Sequence, residues 1–218
     1  MKKRGMDTEQ LIQSLTRDVP AVRRHTVSRR IALGLVGGGA ITTVLVAVLL
    51  GIRPDLHLAM QGYSFWLKWI YTIALGISAV IGVARLARPD DGSFGWLWLA
   101  AAPVLLLVGV CTAELAATPM RHWPHMWLGH SWMVCSWTVL GLSLPIFIGL
   151  LWSFRWLAPT RLRAAGATAG LAAGALAAAI YCLHCPETSA LFVLTWYTLG
   201  IVLTTALGAL VGPKLLRW

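Results

Sequence analysis

The sequence predicts an all-α membrane protein: a polytopic bundle of six transmembrane helices with a short cytoplasmic amphipathic helix at its N-terminus. Of the 218 residues, 58% are hydrophobic and only 12% are charged, and the mean hydropathy is +0.72. A soluble domain carries about 25% charged residues. The apolar residues form six runs, each near the roughly 20 residues that a helix needs to cross the hydrocarbon core. Twelve tryptophans, several at the ends of these runs, suit the bilayer interface.

The predicted spans follow these runs in chain order. They are residues 31–52, 69–83 (extended outward by 65–68), 94–117, 130–154, 164–183 and 190–211. The first run exceeds the roughly 7–15 apolar residues of a signal peptide and has no small-residue cleavage site, so we expect it to remain in the mature protein. The chain is thereby divided into a leader, residues 1–30, and a transmembrane domain, residues 31–218.

The Lys and Arg residues indicate the orientation of these spans. Fifteen of the 18 lie in the leader, in alternate loops and in the C-terminal tail, whereas Arg53, Lys68 and Arg121 lie on the opposite face. Because cytoplasmic loops are enriched in Lys and Arg, both termini are predicted to be cytoplasmic. The net charge of +10 is explained by this distribution, and we expect no direct binding of nucleic acid.

Cysteine residues gather on the face opposite the basic loops. All four (Cys111, Cys135, Cys182 and Cys185) are placed there by the predicted topology. The spacing Cys182-x-x-Cys185 is typical of a redox pair or of half a soft-metal site. A membrane cysteine can also be a small packing residue. Packing is favoured for Cys111, and the two interpretations are balanced for Cys135 and Cys185.

Ionisable residues accompany these cysteines. His184, Glu187, Glu114 and Lys68 share the same face, and we expect Glu114 and Lys68 to reach lipid headgroups or to pair. The sequence contains no phosphate-binding loop, nucleophile elbow, zinc-protease motif or catalytic carboxylate pair. The chain is therefore predicted not to be an enzyme.

Glycines spaced by four residues mark helix contacts in the last two spans. Gly166, Gly170 and Gly174 form two overlapping GxxxG steps, and Gly208 and Gly212 form another. Small residues allow helices to approach closely in lipid. We expect packing between helices here, and a homodimer through the same faces stays open as an alternative.

The leader carries one predicted amphipathic helix. A capping-box pattern at Asp7 and Gln10 begins it, and Pro20 ends it. Its apolar stripe consists of Leu11, Ile12, Leu15 and Val19. Such a stripe fits the groove of a partner protein, or the surface of the bilayer beside the arginines that follow. Periodicity alone does not separate these two interpretations.

Both ends of the sequence resemble one family. The leader segment 6–12, with Leu15, Asp18 and Pro20, is similar to the start of the NrsF-like six-span bacterial membrane anti-sigma factors. The C-terminal half carries more specific motifs. They are His184-Cys185-Pro186-Glu187, Trp196-Tyr197, Gly200, Leu207-Gly208, Gly212-Pro213 and Leu216-Arg217-Trp218.

The resemblance implies a function. The leader would bind an extracytoplasmic-function sigma factor, through Leu11, Ile12, Leu15 and Val19, from a chain embedded in the bacterial inner membrane. Cys135 and Cys185 would sense periplasmic oxidants or heavy metals, with Cys182, His184 and Glu187 beside them, and transient soft-metal binding would fall on Cys135 and Cys185. Cys111 and Cys182 are outside the pattern common to the family.

Two other functions compete with this prediction. The first is a membrane thiol oxidoreductase that passes electrons between Cys182, Cys185 and a quinone. The second is a structural assembly subunit. A second clear cysteine pair is missing from the sequence, and an oxidoreductase has no use for an amphipathic cytoplasmic leader, so the anti-sigma prediction is favoured.

Overall fold

The computed structural model describes Thr8, Ile12, Gln13 and residues 26–87, 95–157, 159 and 161–217. Over these residues the chain forms helices and connecting loops, without strands. Six helical segments within them are long and apolar enough to cross a membrane, which confirms the predicted fold class. We label these six segments α1 to α6.

The six helices match the six predicted spans, with shifted boundaries. They are α1 (Thr26–Leu45, continuing as a π-helical turn Val46–Leu50), α2 (Tyr63–Leu86), α3 (Trp96–Ala117), α4 (Trp132–Phe154), α5 (Leu162–Tyr181) and α6 (Ala190–Phe192, π-helical Val193–Tyr197 and Thr198–Leu215). Short helical turns lie between them at Leu56–Ala59, Met120–His122 and Trp123–Leu128. Because α5 ends at Tyr181, Cys182 lies just beyond the span that was predicted to contain it.

The fifth helix is the centre of the bundle. It packs against α2, α4 and α6, and 72% of its most apolar window is buried, compared with 17% for α3. Its sequence is rich in alanine and glycine, which explains its weak hydropathy. A helix surrounded by other helices has little contact with lipid, so it needs small side chains for packing more than it needs large apolar ones.

Glycines set the distance between α5 and α6. A β-carbon on Gly166 would overlap the carbonyl oxygen of Gly208, and one on Gly170 would overlap that of Thr204. The two backbones therefore touch, as the GxxxG spacing predicts. Both glycine faces are occupied inside the chain.

The first and third helices lie at the edges of the bundle. α1 packs on α4 through Gly34 and Gly38, where a β-carbon would overlap the backbone of Gly149 or Ile146. The Thr42 hydroxyl donates to the Leu142 carbonyl across this contact, at 2.9 Å. α3 packs mainly on α2. α1, to which the leader is joined, thus contacts the rest of the bundle mainly through one helix, α4.

The connections divide the bundle into two ends. Residues 51–62, 118–131 and 182–189 form one of them, which we call the cysteine end. Residues 26–30, 155–157 and 216–217, with the neighbouring arginines, form the other, which we call the basic end. The Arg30 guanidinium stacks on the Trp156 ring there, with its carbon 5.2 Å from the ring centroid.

Candidate thiol site

Three of the four cysteines meet at the cysteine end. Cys135 lies in the first turn of α4, and Cys182 and Cys185 lie in the loop that follows α5. All three are fully buried free thiols. Cys111 is also buried, but it lies on α3 and interacts electrostatically with Glu114 of its own helix. The structure therefore brings together Cys135, Cys182 and Cys185 and leaves Cys111 outside.

The Cys185 thiol is the acidic one of the group. Its pKa is lowered to about 6, first because the Cys135 thiol donates a hydrogen bond to it. The Lys68 ammonium, the Tyr197 hydroxyl and the Glu187 backbone N–H add to this effect, against the opposing effect of burial. Thiolates are the reactive form of cysteine, so this shift favours Cys185 over Cys135 as the thiol that can react.

Cys182 differs from its neighbour in chemistry. Burial raises its pKa to about 12, although the positive charge of Lys68 acts in the opposite direction. Cys182 is therefore a neutral thiol at physiological pH. The CxxC spacing thus places two thiols with opposite pKa shifts in the same loop.

Glu187 joins the Cys185 loop to the helix that carries Cys135. Its Oε1 accepts hydrogen bonds from the backbone N–H groups of His130 (2.7 Å) and Ser131 (3.2 Å) and from the Ser131 hydroxyl (3.2 Å). Free N–H groups at a helix start favour a negative charge. Glu187 thus caps the start of α4.

Gly129 leaves the room that this cap needs. Its φ is +52°, which side chains rarely allow, and a β-carbon there would overlap the Glu187 carboxylate. A glycine is therefore required both for the turn before α4 and for the approach of Glu187.

Lys68 of α2 is buried in the same site. Its side chain is 1% exposed, and its Nζ donates to the carbonyl oxygens of Cys185 (3.2 Å) and Glu187. The sequence left open whether Lys68 reaches headgroups or pairs, and in the structure it pairs with carbonyl oxygens of the loop after α5.

The same loop holds the end of α1. The Arg53 backbone N–H donates to the Leu183 carbonyl at 3.2 Å, and the His184 Nδ1–H donates to the Gly51 carbonyl at 2.9 Å. The Arg53 guanidinium also reaches the Cys185 carbonyl at 3.5 Å. His184 therefore contributes to the site by hydrogen-bonding the loop after α5 to the end of α1.

Arg53 is held in place by a neighbouring carboxylate. Its Nε and Nη2 donate to the two oxygens of Asp55 at 2.8 and 2.6 Å. This bidentate contact lowers the pKa of the exposed Asp55 carboxyl. The pair keeps the guanidinium beside the Cys185 loop.

Glu114 plays a similar capping part at the start of α6. Its Oε2 accepts the Ala190 backbone N–H at 2.9 Å, and its Oε1 accepts the Tyr63 hydroxyl at 3.3 Å. It therefore pairs with protein groups, one of the two alternatives that the sequence left open.

The predicted sigma-binding stripe lies mostly outside the described residues. Leu11, Leu15 and Val19 are not described, and Ile12 has a side chain that is 52% exposed. Sigma binding through this stripe stays a prediction.

Metal binding at Cys135 and Cys185 also stays a prediction. Over the described part of the chain, no group of three or more His, Cys, Asp or Glu residues is arranged to hold a metal ion. Two adjacent thiols supply soft ligands, which soft metal ions prefer.

Sequence reasoning missed part of the site. Tyr197, whose hydroxyl lies against the Cys182 and Cys185 thiols, was noted only as a motif residue, and Gly129 was not noted. A signal for Gly129 was its position directly before the first predicted residue of the fourth span. Lys68 was noted, but nothing in the sequence indicated its carbonyl partners.

Comparison with known proteins defines the class to which this molecule belongs. A family model described as "Negative regulator of sigma F" matches residues 15–218. A relative from Azospira oryzae, named probable anti-sigma-F factor NrsF, is 40% identical over 217 residues, covering 98% of this chain and 100% of the relative. The anti-sigma-F factor NrsF of Caulobacter vibrioides is 37% identical over 220 residues, with the same coverage. No solved structure matches.

These relatives are transcription regulators, so the class is that of anti-sigma factors, and the prediction that the chain is not an enzyme is confirmed. The chain belongs to the NrsF family. This confirms the resemblance found in the leader and C-terminal motifs, and it leaves the thiol oxidoreductase alternative without support.

Proposed function

We propose that this chain is a membrane-bound anti-sigma factor that releases its sigma factor when Cys135 and Cys185 are oxidised. Membership of the NrsF family supports the sigma-binding half of this proposal. One structural observation carries the sensing half. Cys135 and Cys185 are distant in sequence, yet their thiols are hydrogen-bonded to each other in a buried site.

The chemistry proceeds in two balanced steps. The Cys185 thiolate attacks a peroxide oxygen, an S–O bond forms, the O–O bond breaks, and the leaving oxygen takes a proton. Cys135 then attacks the Cys185 sulfenic acid, a disulfide forms and water leaves. The peroxide is reduced and the two thiols are oxidised. Soft metal ions offer a second input, because two thiolates bind them with loss of protons.

Disulfide formation would alter contacts that reach α1. An S–S bond brings two β-carbons to about 3.8 Å, which pulls the Cys185 loop towards α4. That loop holds Gly51 and Arg53 at the end of α1. A shift in α1 would be felt at its other end, where the leader joins it. Such a switch requires the two arrangements to differ in their affinity for the sigma factor.

We place the protein in the bacterial inner membrane, with both termini in the cytoplasm and the cysteine end in the periplasm. The distribution of Lys and Arg supports this orientation. The proposed partner is a sigma factor of the extracytoplasmic-function type, held by the stripe of Leu11, Ile12, Leu15 and Val19. A homodimer through α5 and α6 has less support, because their glycine faces pack against each other.

A sigma-dependent promoter tests the sensing claim. We expect Cys135→Ser and Cys185→Ser to abolish induction by peroxide or cadmium, while Cys111→Ser, a change in an equally buried thiol outside the site, leaves it intact. Normal induction in both site variants would remove the claim. If the site variants lost induction by cadmium but kept induction by peroxide, the site would be a sensor of metal ions and not of oxidants.

Co-purification with the sigma factor tests the leader. We expect Ile12→Glu and Leu15→Glu to weaken binding by at least about tenfold, because burying an unpaired charge in an apolar groove costs more than about 1.4 kcal/mol. Gln13→Glu adds the same charge on the opposite side of the predicted helix and should bind normally. Equal binding by all three variants would contradict the stripe as the binding surface.

A further inference from the structure

Lys68 presents a charge problem that hydrogen bonds alone do not solve. Its side chain is 1% exposed, and within the described residues no carboxylate lies within ion-pair distance of Nζ. Two carbonyl oxygens, from Cys185 and Glu187, satisfy two of its three N–H donors. Carbonyl groups are dipoles without net charge. A buried ammonium is strongly disfavoured unless a counter-charge lies nearby.

The thiols are the available source of negative charge. Lys68 interacts electrostatically with both Cys185 and Cys182. Its ammonium donates to the carbonyl oxygen of Cys185 itself, at 3.2 Å. The ammonium is therefore held directly beside one of these two cysteines.

We propose that Lys68 is the counter-ion of a Cys185 thiolate and makes Cys185 the thiol that reacts first with oxidants. Lys68 is then a positioning residue, which acts through Cys185. The inference deepens the proposed function and rests on it, since the reactivity of Cys185 matters for signalling only if the thiols sense stress.

Other charged and titratable groups face the same sulfur from every packed element. They are Cys135 of α4, Tyr181 of α5, Cys182 and Glu187 of the loop, Tyr197 of α6 and Arg53 beyond α1. Arg53 is the second cation of this set, and its guanidinium is paired with Asp55. Lys68 is the cation without a carboxylate. The lowered pKa of Cys185 agrees with this arrangement.

The pH profile of alkylation tests the inference. The reduced full-length protein in lipid nanodiscs is treated with iodoacetamide from pH 5 to pH 10, and Cys185 modification is quantified by peptide mass spectrometry. We expect Lys68→Met to raise the midpoint by at least one pH unit, which slows labelling at pH 5 about tenfold, with little change at pH 10. Lys68→Arg should restore much of the reactivity. Ser78→Ala, a buried change farther along α2, should match the wild type.

Two results would overturn the inference. One is an unchanged midpoint in Lys68→Met. The other is an equal loss of labelling at every pH, which indicates that Lys68 acts only by packing.

The reciprocal variant covers the case in which Lys68→Met does not fold. Cys185→Ser removes the anion and leaves the ammonium unpaired, so we expect its thermal midpoint to fall more at pH 8 than at pH 5, where the wild-type thiol is protonated. An equal fall at both pH values contradicts the ion pair.

These measurements are independent of the sigma factor. Alkylation that depends on Lys68, together with a normal stress response in Cys185→Ser, would support the ion pair and refute the proposed function. A lost stress response with alkylation indifferent to Lys68 would support the proposed function and refute the ion pair.

Discussion

Removing the charge of Glu187 should loosen the start of α4. Glu187→Gln keeps the shape of the side chain but replaces a carboxylate that accepts three hydrogen bonds, two of them from the backbone N–H groups of His130 and Ser131. A hydrogen bond to a charged group contributes about 1.5–3 kcal/mol, and a neutral one about 0.5–1.5 kcal/mol. The two backbone bonds therefore lose about 2 kcal/mol together, and the interaction with the helix dipole loses about 0.5 kcal/mol more.

Hydrogen exchange measures this loss where it occurs. The combined decrease of about 2.5 kcal/mol in the opening free energy corresponds to roughly 70-fold faster exchange. We expect that acceleration in the amides of residues 129–134 in Glu187→Gln. The matched control is Asp55→Asn, which removes a carboxylate at the same end of the bundle and should leave this segment unchanged. Equal exchange in Glu187→Gln and the wild type would refute the assignment of Glu187 as the cap.

Three further predictions follow from contacts in the bundle. Cys135→Ala should raise the alkylation midpoint of Cys185 from about 6, because it removes the Cys135 hydrogen bond, the largest cause of the lowered Cys185 pKa. An unchanged pH profile of alkylation would contradict this. Diamide should cross-link Cys135 to Cys185 and leave Cys111 free, which peptide mapping checks. Gly166→Ala should lower the thermal midpoint, since overpacking costs about 1–3 kcal/mol, whereas Gly37→Ala, which faces open space, should maintain or raise it.

The pH dependence of stability follows from Cys185. Its pKa is about 6 in the folded chain, below its ordinary value of 9.0. Its contribution to stability is therefore complete above pH 9.0, decreases as the pH falls through this window and is lost below about 6. Thermal midpoints of the wild type and Cys185→Ser should converge as the pH is lowered from 9 to 5.

Hydropathy was sufficient to predict the six helices but not the residues at which they begin and end. A run of apolar residues reports where lipid can be crossed, and it does not report where a loop supplies a cap. The fourth span begins at Trp132, two residues after the predicted start, because Glu187 caps the chain at His130 and Ser131. Glu187 and His130 are 57 residues apart, so no local pattern contains this contact.

The sequence predicted that the cysteines lie at the same end of the bundle, but it did not predict the partners of the charged residues beside them. The topology placed Cys135 and Cys185 on one face, and the family resemblance selected them. Lys68 was placed at the interface because a charged group in a membrane helix is expected to reach water. Its burial depends on carbonyl oxygens from a loop more than 100 residues away, at 3.2 Å in the case of Cys185.

The loop around Cys185 is held almost entirely through main-chain atoms. Lys68 binds two carbonyls, Glu187 binds two amides, and the Arg53 amide binds the Leu183 carbonyl. Every residue type except proline offers the same main-chain groups, so the residues at 130 and 183 can change during evolution without loosening the site, whereas Ser131 also contributes its hydroxyl. Selection then acts on a few positions, those that carry the thiols, the ammonium, the carboxylate and the glycine turn. Distant homologues should be recognisable by this sparse set, even where the surrounding sequence has diverged.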